Sequence, residues 1–322
     1  MVSVVKKKVN GKEYYYLEVS LRISGKVNKV WEYLGKEKPS QAELSKKKKF
    51  LEENALDKYY AKTLKKFKFS FLSRKDIAEI EKVNGDFLAR FDKLSKKQKE
   101  NYNKDQVVHF VYTTLRTEGV DVDYSDVETA FEIIDKKKNE FTFDNKVIVS
   151  SSMITGFNYL SKIKINKKDI LRLHGIIMSF FEQESPGQLR DDQRIIARFN
   201  PSTLKSQEID YRPPSPNKIP GKLENFFDWF EENKSVYPLE LAALVHLKIY
   251  LIHPFKDGNK RMCRLLFNKI LQDNGYPIIN ISKDTSEYFK ELVKSVESGN
   301  EIFFVKFCHK AFLKQVKYRR LK

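Results

Sequence analysis

Two hydrophobic periods divide this chain. Up to residue 35 apolar and polar positions largely alternate: Tyr14-Tyr15-Tyr16-Leu17-Glu18-Val19-Ser20-Leu21-Arg22-Ile23, a Ser24-Gly25 turn, then Lys26-Val27-Asn28-Lys29-Val30-Trp31-Glu32-Tyr33-Leu34-Gly35. Alternation with aromatic and β-branched residues predicts strands, and Asn10-Gly11 ahead of them predicts a tight hairpin turn. Residues 2–35 therefore read as a small antiparallel meander. Pro39-Ser40 opens the helical part: Ser40 is an N-cap, and Glu43 three residues on completes a capping-box pattern for a helix reaching Lys66. Further on, Leu239 to Ile252 is long, nearly free of breakers and mostly apolar, the pattern of a buried helix. Pro254 stops it near His253, because proline excludes the residue before it from the helical region. A second helix is predicted from Arg261 to Asp273, with Leu265, Leu266, Phe267, Ile270 and Leu271 on its apolar side and Gly275 and Pro277 at its end.

Between these two helices lies the chemistry: His253-Pro254-Phe255-Lys256-Asp257-Gly258-Asn259-Lys260-Arg261-Met262-Cys263-Arg264. A tight loop entering a helix N-terminus is an anion site, since free backbone N–H groups and the positive end of the helix dipole meet there. Arg261 and Arg264 are three residues apart on one helix face and can close on the same phosphate chain. Asp257 supplies a carboxylate for Mg²⁺. His253 has an unperturbed pKa near neutrality, which suits proton abstraction. The remaining histidines have no partner pattern: His246 and His174 read as packing residues in helices, His109 and His309 as isolated ones.

This stretch resembles the signature of the Fic family, H-x-F-x-D/E-G-N-G-R-x-x-R, with Lys260 where the last Gly stands. Pro186-Gly187-Gln188-Leu189-Arg190 resembles a second element of the family, and residues 192–214 resemble its β-hairpin flap, with Ile195, Ile196 and Ala197 as the flap edge. The likeness extends over residues 105–312. It implies a mostly α fold: a Fic-type helical core with a β-hairpin flap, plus the small N-terminal antiparallel β module and connecting helices. The domains expected are a meander over 1–38, a basic helical connector over 39–104 and a Fic domain over 105–322.

The resemblance also implies an activity, transfer of AMP from ATP to a Ser, Thr or Tyr hydroxyl of a target protein, with ATP and Mg²⁺ as cofactors. On these positions His253 would be the base, Asp257 the Mg²⁺ ligand, and Gly258, Asn259, Lys260, Arg261 and Arg264 the phosphate-binding set. Tyr288 would lie on the adenine side. Thr114-Leu115-Arg116-Thr117-Glu118-Gly119 matches the family's inhibitory motif, in which Glu118 would pair with Arg264 and hold the enzyme in check. Lys260 leaves phosphate transfer of the related Doc type open, and Glu118 leaves removal of AMP open. A nearly silent core in a nucleic-acid-docking protein is the reading from a different class. The family often dimerises, so a homodimer stays open.

Composition bounds these readings. In 322 residues with 41% hydrophobic and 13% aromatic content, the chain is globular and long enough for a sizeable core. Two cysteines, Cys263 and Cys308, make neither a disulfide framework nor a metal cluster. No run approaches about eighteen apolar residues, and no signal-like stretch opens the chain, so the expectation is a cytoplasmic protein without a membrane partner. The net charge of +18 is uneven: residues 1–100 hold 26 Lys and Arg against 14 Asp and Glu, a net of +12. Such a basic, aromatic module suits nucleic acid or an acidic partner, but it carries no recognisable nucleic-acid motif, and a solvated basic face is the expectation.

Overall fold

The structure is a computed structural model describing residues 2–23, 26–135, 144–200, 205–208 and 211–319. Strands β1 (Val2–Val9), β2 (Lys12–Ile23) and β3 (Lys26–Gly35) form an antiparallel sheet in the order β1-β2-β3. The first turn places Asn10 and Gly11 at φ 50° and 78°, the left-handed pair that a two-residue hairpin requires. The Ser24-Gly25 turn lies outside the described residues. Helix α1 (Gln41–Leu64) covers one face of the sheet and starts with the expected Ser40–Glu43 capping box. Leu51 and Ala55 of α1 meet Val2, Leu17, Val19 and Val30 in a small core of their own, and Tyr59 borders both this core and the main one.

The helical body follows. Helices α2 (Arg74–Phe91), α3 (Lys96–Thr117), α4 (Tyr124–Asp135), α5 (Asn145–Tyr159), α6 (Lys167–Ile177) and α7 (Ile219–Glu232) precede α8 (Pro238–Ile252) and α9 (Asn259–Asp273), and α10 (Thr285–Ser298) and α11 (Ile302–Lys317) follow; α8 and α9 pack on each other and are flanked by α3, α7, α10 and α11. In α8 every residue except Lys248 and Leu251 is buried, which explains its lack of a polar stripe. Helix α9 begins at Asn259, two residues before the predicted start. The main core takes in Leu64, Leu72, Ile77, Ile80, Val83 and Phe87, and α2 packs on α11. The main core thus takes in side chains of the connector, from Leu64 to Phe87, together with those of the later helices. Its seam is polar: the buried carboxylate of Glu240, in the first turn of α8, accepts from the backbone N–H groups of Ser70, Phe71 and Leu72 at 2.8, 3.2 and 3.1 Å. A buried carboxylate satisfied by three amides pins the connector to the central helix.

A two-stranded hairpin, β4 (Ala197–Asn200) and β5 (Lys205–Glu208), projects between α6 and α7. The ladder begins at Ala197. Ile196 is buried in the core and Arg194 pairs with Asp192 at 3.0 Å, so the chain stays held to the body until Ala197. Ile195 is exposed. Residues 201–204 and 209–210 of the expected flap lie outside the described residues. Among the described residues no helix is long and apolar enough to cross a membrane.

Candidate active site

Pro254 ends α8 as its position requires, and His253 caps the helix in the left-handed region (φ 48°, ψ 59°). A side chain that is not glycine pays a strain of roughly 1–3 kcal/mol there, so its surroundings must hold it. Arg190 supplies the hold. Its Nε donates to the His253 carbonyl at 2.7 Å, and its backbone N–H donates to the Pro254 carbonyl at 2.9 Å. The same guanidinium donates to the Asp192 and Pro214 carbonyls at 2.6 and 2.5 Å, so one buried arginine joins both roots of the hairpin to the loop. Tyr211 adds a bond from its hydroxyl to the Leu251 carbonyl at 2.9 Å.

The loop is clamped from the other side by His174. Its Nδ1 accepts from the Gly187 N–H at 2.9 Å, which leaves the proton on Nε2 to donate to the Asp257 carbonyl at 3.0 Å. The ring stacks on Phe255 with centroids 3.7 Å apart and planes 4° from parallel. Burial holds the His174 pKa down to about 4, which matches this neutral tautomer. Gly258 then turns the chain into α9 at φ 76°. A Cβ there would lie 2.8 Å from the Met178 sulfur and 3.2 Å from His174 Nε2, so only glycine fits.

The side chain of Asn259 turns back into the loop. Its side chain accepts from the Phe255 N–H at 3.0 Å and donates to the Phe255 carbonyl at 2.8 Å, closing the loop on itself. Buried and fully engaged, it offers an anion its backbone N–H, not its amide. Helix α9 has no side-chain cap, so the first turn presents free N–H groups. Beside them Arg261 is buried; its Nη2 holds Asp257 at 2.6 Å, while Nε and Nη1 have no hydrogen-bond partner among the described residues. Unsatisfied buried donors beside an uncapped helix N-terminus define a site shaped for anionic oxygen.

Glu118 caps the C-terminus of α3 and reaches this site. Its Oε1 accepts from Arg264 Nη2 at 2.5 Å, and its Oε2 lies 3.3 Å from Lys260 Nζ. Burial opposes charge on Glu118, but Arg264 and then Lys260 outweigh it and hold the carboxyl down to about 2. Arg264 is wholly buried, with the Tyr288 ring near its guanidinium. Tyr288, expected on the adenine side, is itself fully buried and bonded through its hydroxyl to His246 Nε2 at 3.0 Å; it presents no surface to a ligand. Its neighbour Phe289 is partly exposed, and the Lys260 ammonium sits 5.0 Å from its ring centroid. Each residue turns a helix by about 100°, so the aromatic pair divides its tasks: one ring packs, the next faces the site.

His253 lies within this frame with its pKa lowered to about 4, burial first and Arg190 and Lys260 adding to it against Asp257. Its imidazole is neutral at physiological pH. The structure thus brings together His253, Asp257, Gly258, Asn259, Lys260, Arg261, Arg264 and Glu118, while Ile195, Ile196 and Ala197 stand at the hairpin root. The sequence reading missed the clamp made by His174, the Glu240 seam and the Lys260–Glu118 pair. Single histidines and lysines give no local sign of such distant contacts. Among the described residues no three His, Cys, Asp or Glu side chains cluster as a metal cage.

Comparison with known proteins places this geometry. The Fic/DOC family model matches residues 164–271. The chain carries a domain of the Fic/DOC family there. Protein adenylyltransferase Fic of Drosophila willistoni is 32% identical over 150 residues, which is 46% of this chain and 28% of that protein. The matched stretch therefore spans less than a third of the curated relative. A Fic-domain-containing signalling protein from Bacteroides thetaiotaomicron superposes with a TM-score of 0.60 at 20% identity, covering 74% of this chain and 94% of the other. A Fic family protein from Desulfovibrio desulfuricans gives 0.61 at 19%, covering 76% and 72%. These likenesses establish the fold.

Proposed function

We propose that the chain transfers AMP from ATP to a hydroxyl side chain of a protein and that Glu118 restrains it. The observation carrying this reading is the buried set of cations around an uncapped helix N-terminus, next to a neutral, strained histidine. The imidazole of His253 takes the proton as the target oxygen attacks the α-phosphorus. The bond from that phosphorus to the bridging oxygen breaks, and pyrophosphate leaves. The α9 amides and the free donors of Arg261 hold the inner phosphates; Arg264 serves the γ-phosphate once Glu118 releases it. Asp257 would hold Mg²⁺, an ion commonly bound by one or two carboxylates plus phosphate oxygens, and that ion would neutralise phosphate charge. The hairpin edge takes the target segment as an added strand, which sets the hydroxyl against His253. Little covalent work falls to the protein; positioning and charge do the rest.

Lys260 fits the same reading. Glycine at this position would leave Glu118 one cation; here it has two, so the restraint is reinforced. The test is intact-mass analysis of Glu118→Gly after incubation with ATP and Mg²⁺, with His253→Ala added as control. A gain of one AMP that vanishes in the double variant supports the proposal. A gain of one phosphate would assign Doc-like phosphotransfer instead, and no gain would sink both.

A further inference from the structure

We propose that the N-terminal sheet is a docking surface for double-stranded DNA. Residues 1–68 carry 18 Lys and Arg against 8 Asp and Glu, a net of +10, more than half the charge of the whole chain. The fold sorts that charge. One sheet face packs on α1; the register puts Lys7 and Tyr14 opposite one another, Tyr16 opposite Tyr33, and Glu18 opposite Trp31 on the other face. None of these outer side chains is buried. Their rings form a continuous patch: Tyr14 and Tyr16 stand 6.0 and 5.4 Å from Tyr33, and Lys7 sits 3.3 Å over Trp31.

The free cations gather at one end. Val9 pairs with Lys12 at the first turn and Tyr15 pairs with Gly35, so the first hairpin turn and the exit of β3 share an edge. Lys8, Lys12, Lys36 and Lys38 are exposed there without an ion-pair partner among the described residues. Lys8 stands cross-strand from Glu13, which pairs with Lys6, so Lys12, Lys36 and Lys38 are the cations that keep most of their attraction for a polyanion.

Shape selects the polyanion. The rings lie on two neighbouring strands, β2 and β3, whose axes are about 4.8 Å apart. The major groove of B-form DNA is about 12 Å wide and admits a two-stranded β-ribbon. The corresponding groove of A-form RNA is deep and narrow and excludes one. In this arrangement the outer rings meet the groove floor and the lysines at the sheet end meet backbone phosphates. Nothing in this docking depends on the proposed AMP transfer.

Fluorescence anisotropy of a labelled DNA duplex, titrated with the full chain from low to physiological salt, tests it. Binding should weaken steeply with salt. Lys12→Glu/Lys36→Glu/Lys38→Glu should weaken it at least about tenfold and flatten the log–log salt slope by about 0.9 for each phosphate that is no longer neutralised. Lys283→Glu/Lys310→Glu/Lys314→Glu, an equal charge change just before α10 and on α11, outside the sheet and α1, should cost little. Tyr33→Ala should weaken binding without changing the slope. Equal losses in the two triple variants would reduce the effect to net charge and overturn the proposal. So would equal affinity for an RNA duplex, displacement of the DNA by anionic vesicles, or no binding at low salt.

Discussion

The loop between α8 and α9 and the sheet formed by β1–β3 are both rich in cations, and they handle them in opposite ways. In the loop Arg261 holds Asp257, Arg264 and Lys260 share Glu118, and Arg190 is consumed by backbone carbonyls. On the sheet Lys8, Lys12, Lys36 and Lys38 face water unpaired. Buried charge has to be satisfied internally, so its geometry is rigid and can be released only by a specific change; exposed charge stays available to any polyanion of the right shape. Chemistry belongs to the first arrangement and docking to the second.

The sharpest way to break that contrast is to remove the base. In a Glu118→Gly background, His253→Ala should lower AMP transfer by about 10²–10⁴-fold while leaving duplex binding unchanged. A smaller loss would move the proton to another group. Next in size is Glu118→Gly alone. Freeing Arg264 for a charge-assisted bond of roughly 1.5–3 kcal/mol should raise the rate of labelling about ten- to a hundredfold. If the rate is unchanged, the pair between Glu118 and Arg264 is structural only.

Two stability changes test how tightly the loop is held. Gly258→Ala forces a left-handed alanine against Met178, and thermal unfolding should report a loss of about 1–3 kcal/mol together with abolished labelling. Glu240→Ala leaves the Leu72 amide, and two partly buried ones, without an acceptor. It should cost about 1–3 kcal/mol or more in denaturant unfolding, with DNA binding retained. The smallest effect is expected of Lys260→Gly. A partly exposed pair is worth about 0.2–1 kcal/mol, so labelling should rise by up to about fivefold.

The pH dependence follows from the same burial. The His253 pKa is lowered, so its neutral form persists as pH falls through 6.5 and is lost only near about 4. Labelling by Glu118→Gly should therefore hold from neutral pH down to about pH 5, and a limb centred near 6.5 would show a solvated imidazole. Glu118, lowered to about 2, contributes stability fully above its ordinary range near 4.5 and loses it as pH falls toward 2. Acidification within the physiological range should not release it.

The pattern of residues by itself settled a good deal. Period-two alternation and Asn10-Gly11 gave the meander, the Ser40–Glu43 pair gave the start of α1, and Pro254 gave the end of α8, because each signal acts within a few residues of its effect. The motif likewise named residues that the structure brings together around the loop between α8 and α9. The tertiary structure alone decided which of them are free to act. Asn259 is turned inward to Phe255, Tyr288 is sealed behind Phe289, and Lys260 is drawn to a carboxylate 142 residues earlier in the chain. These outcomes depend on which helices meet and which groups burial forces into partnership. A linear pattern carries local propensity, whereas desolvation and pairing are set only when distant segments pack.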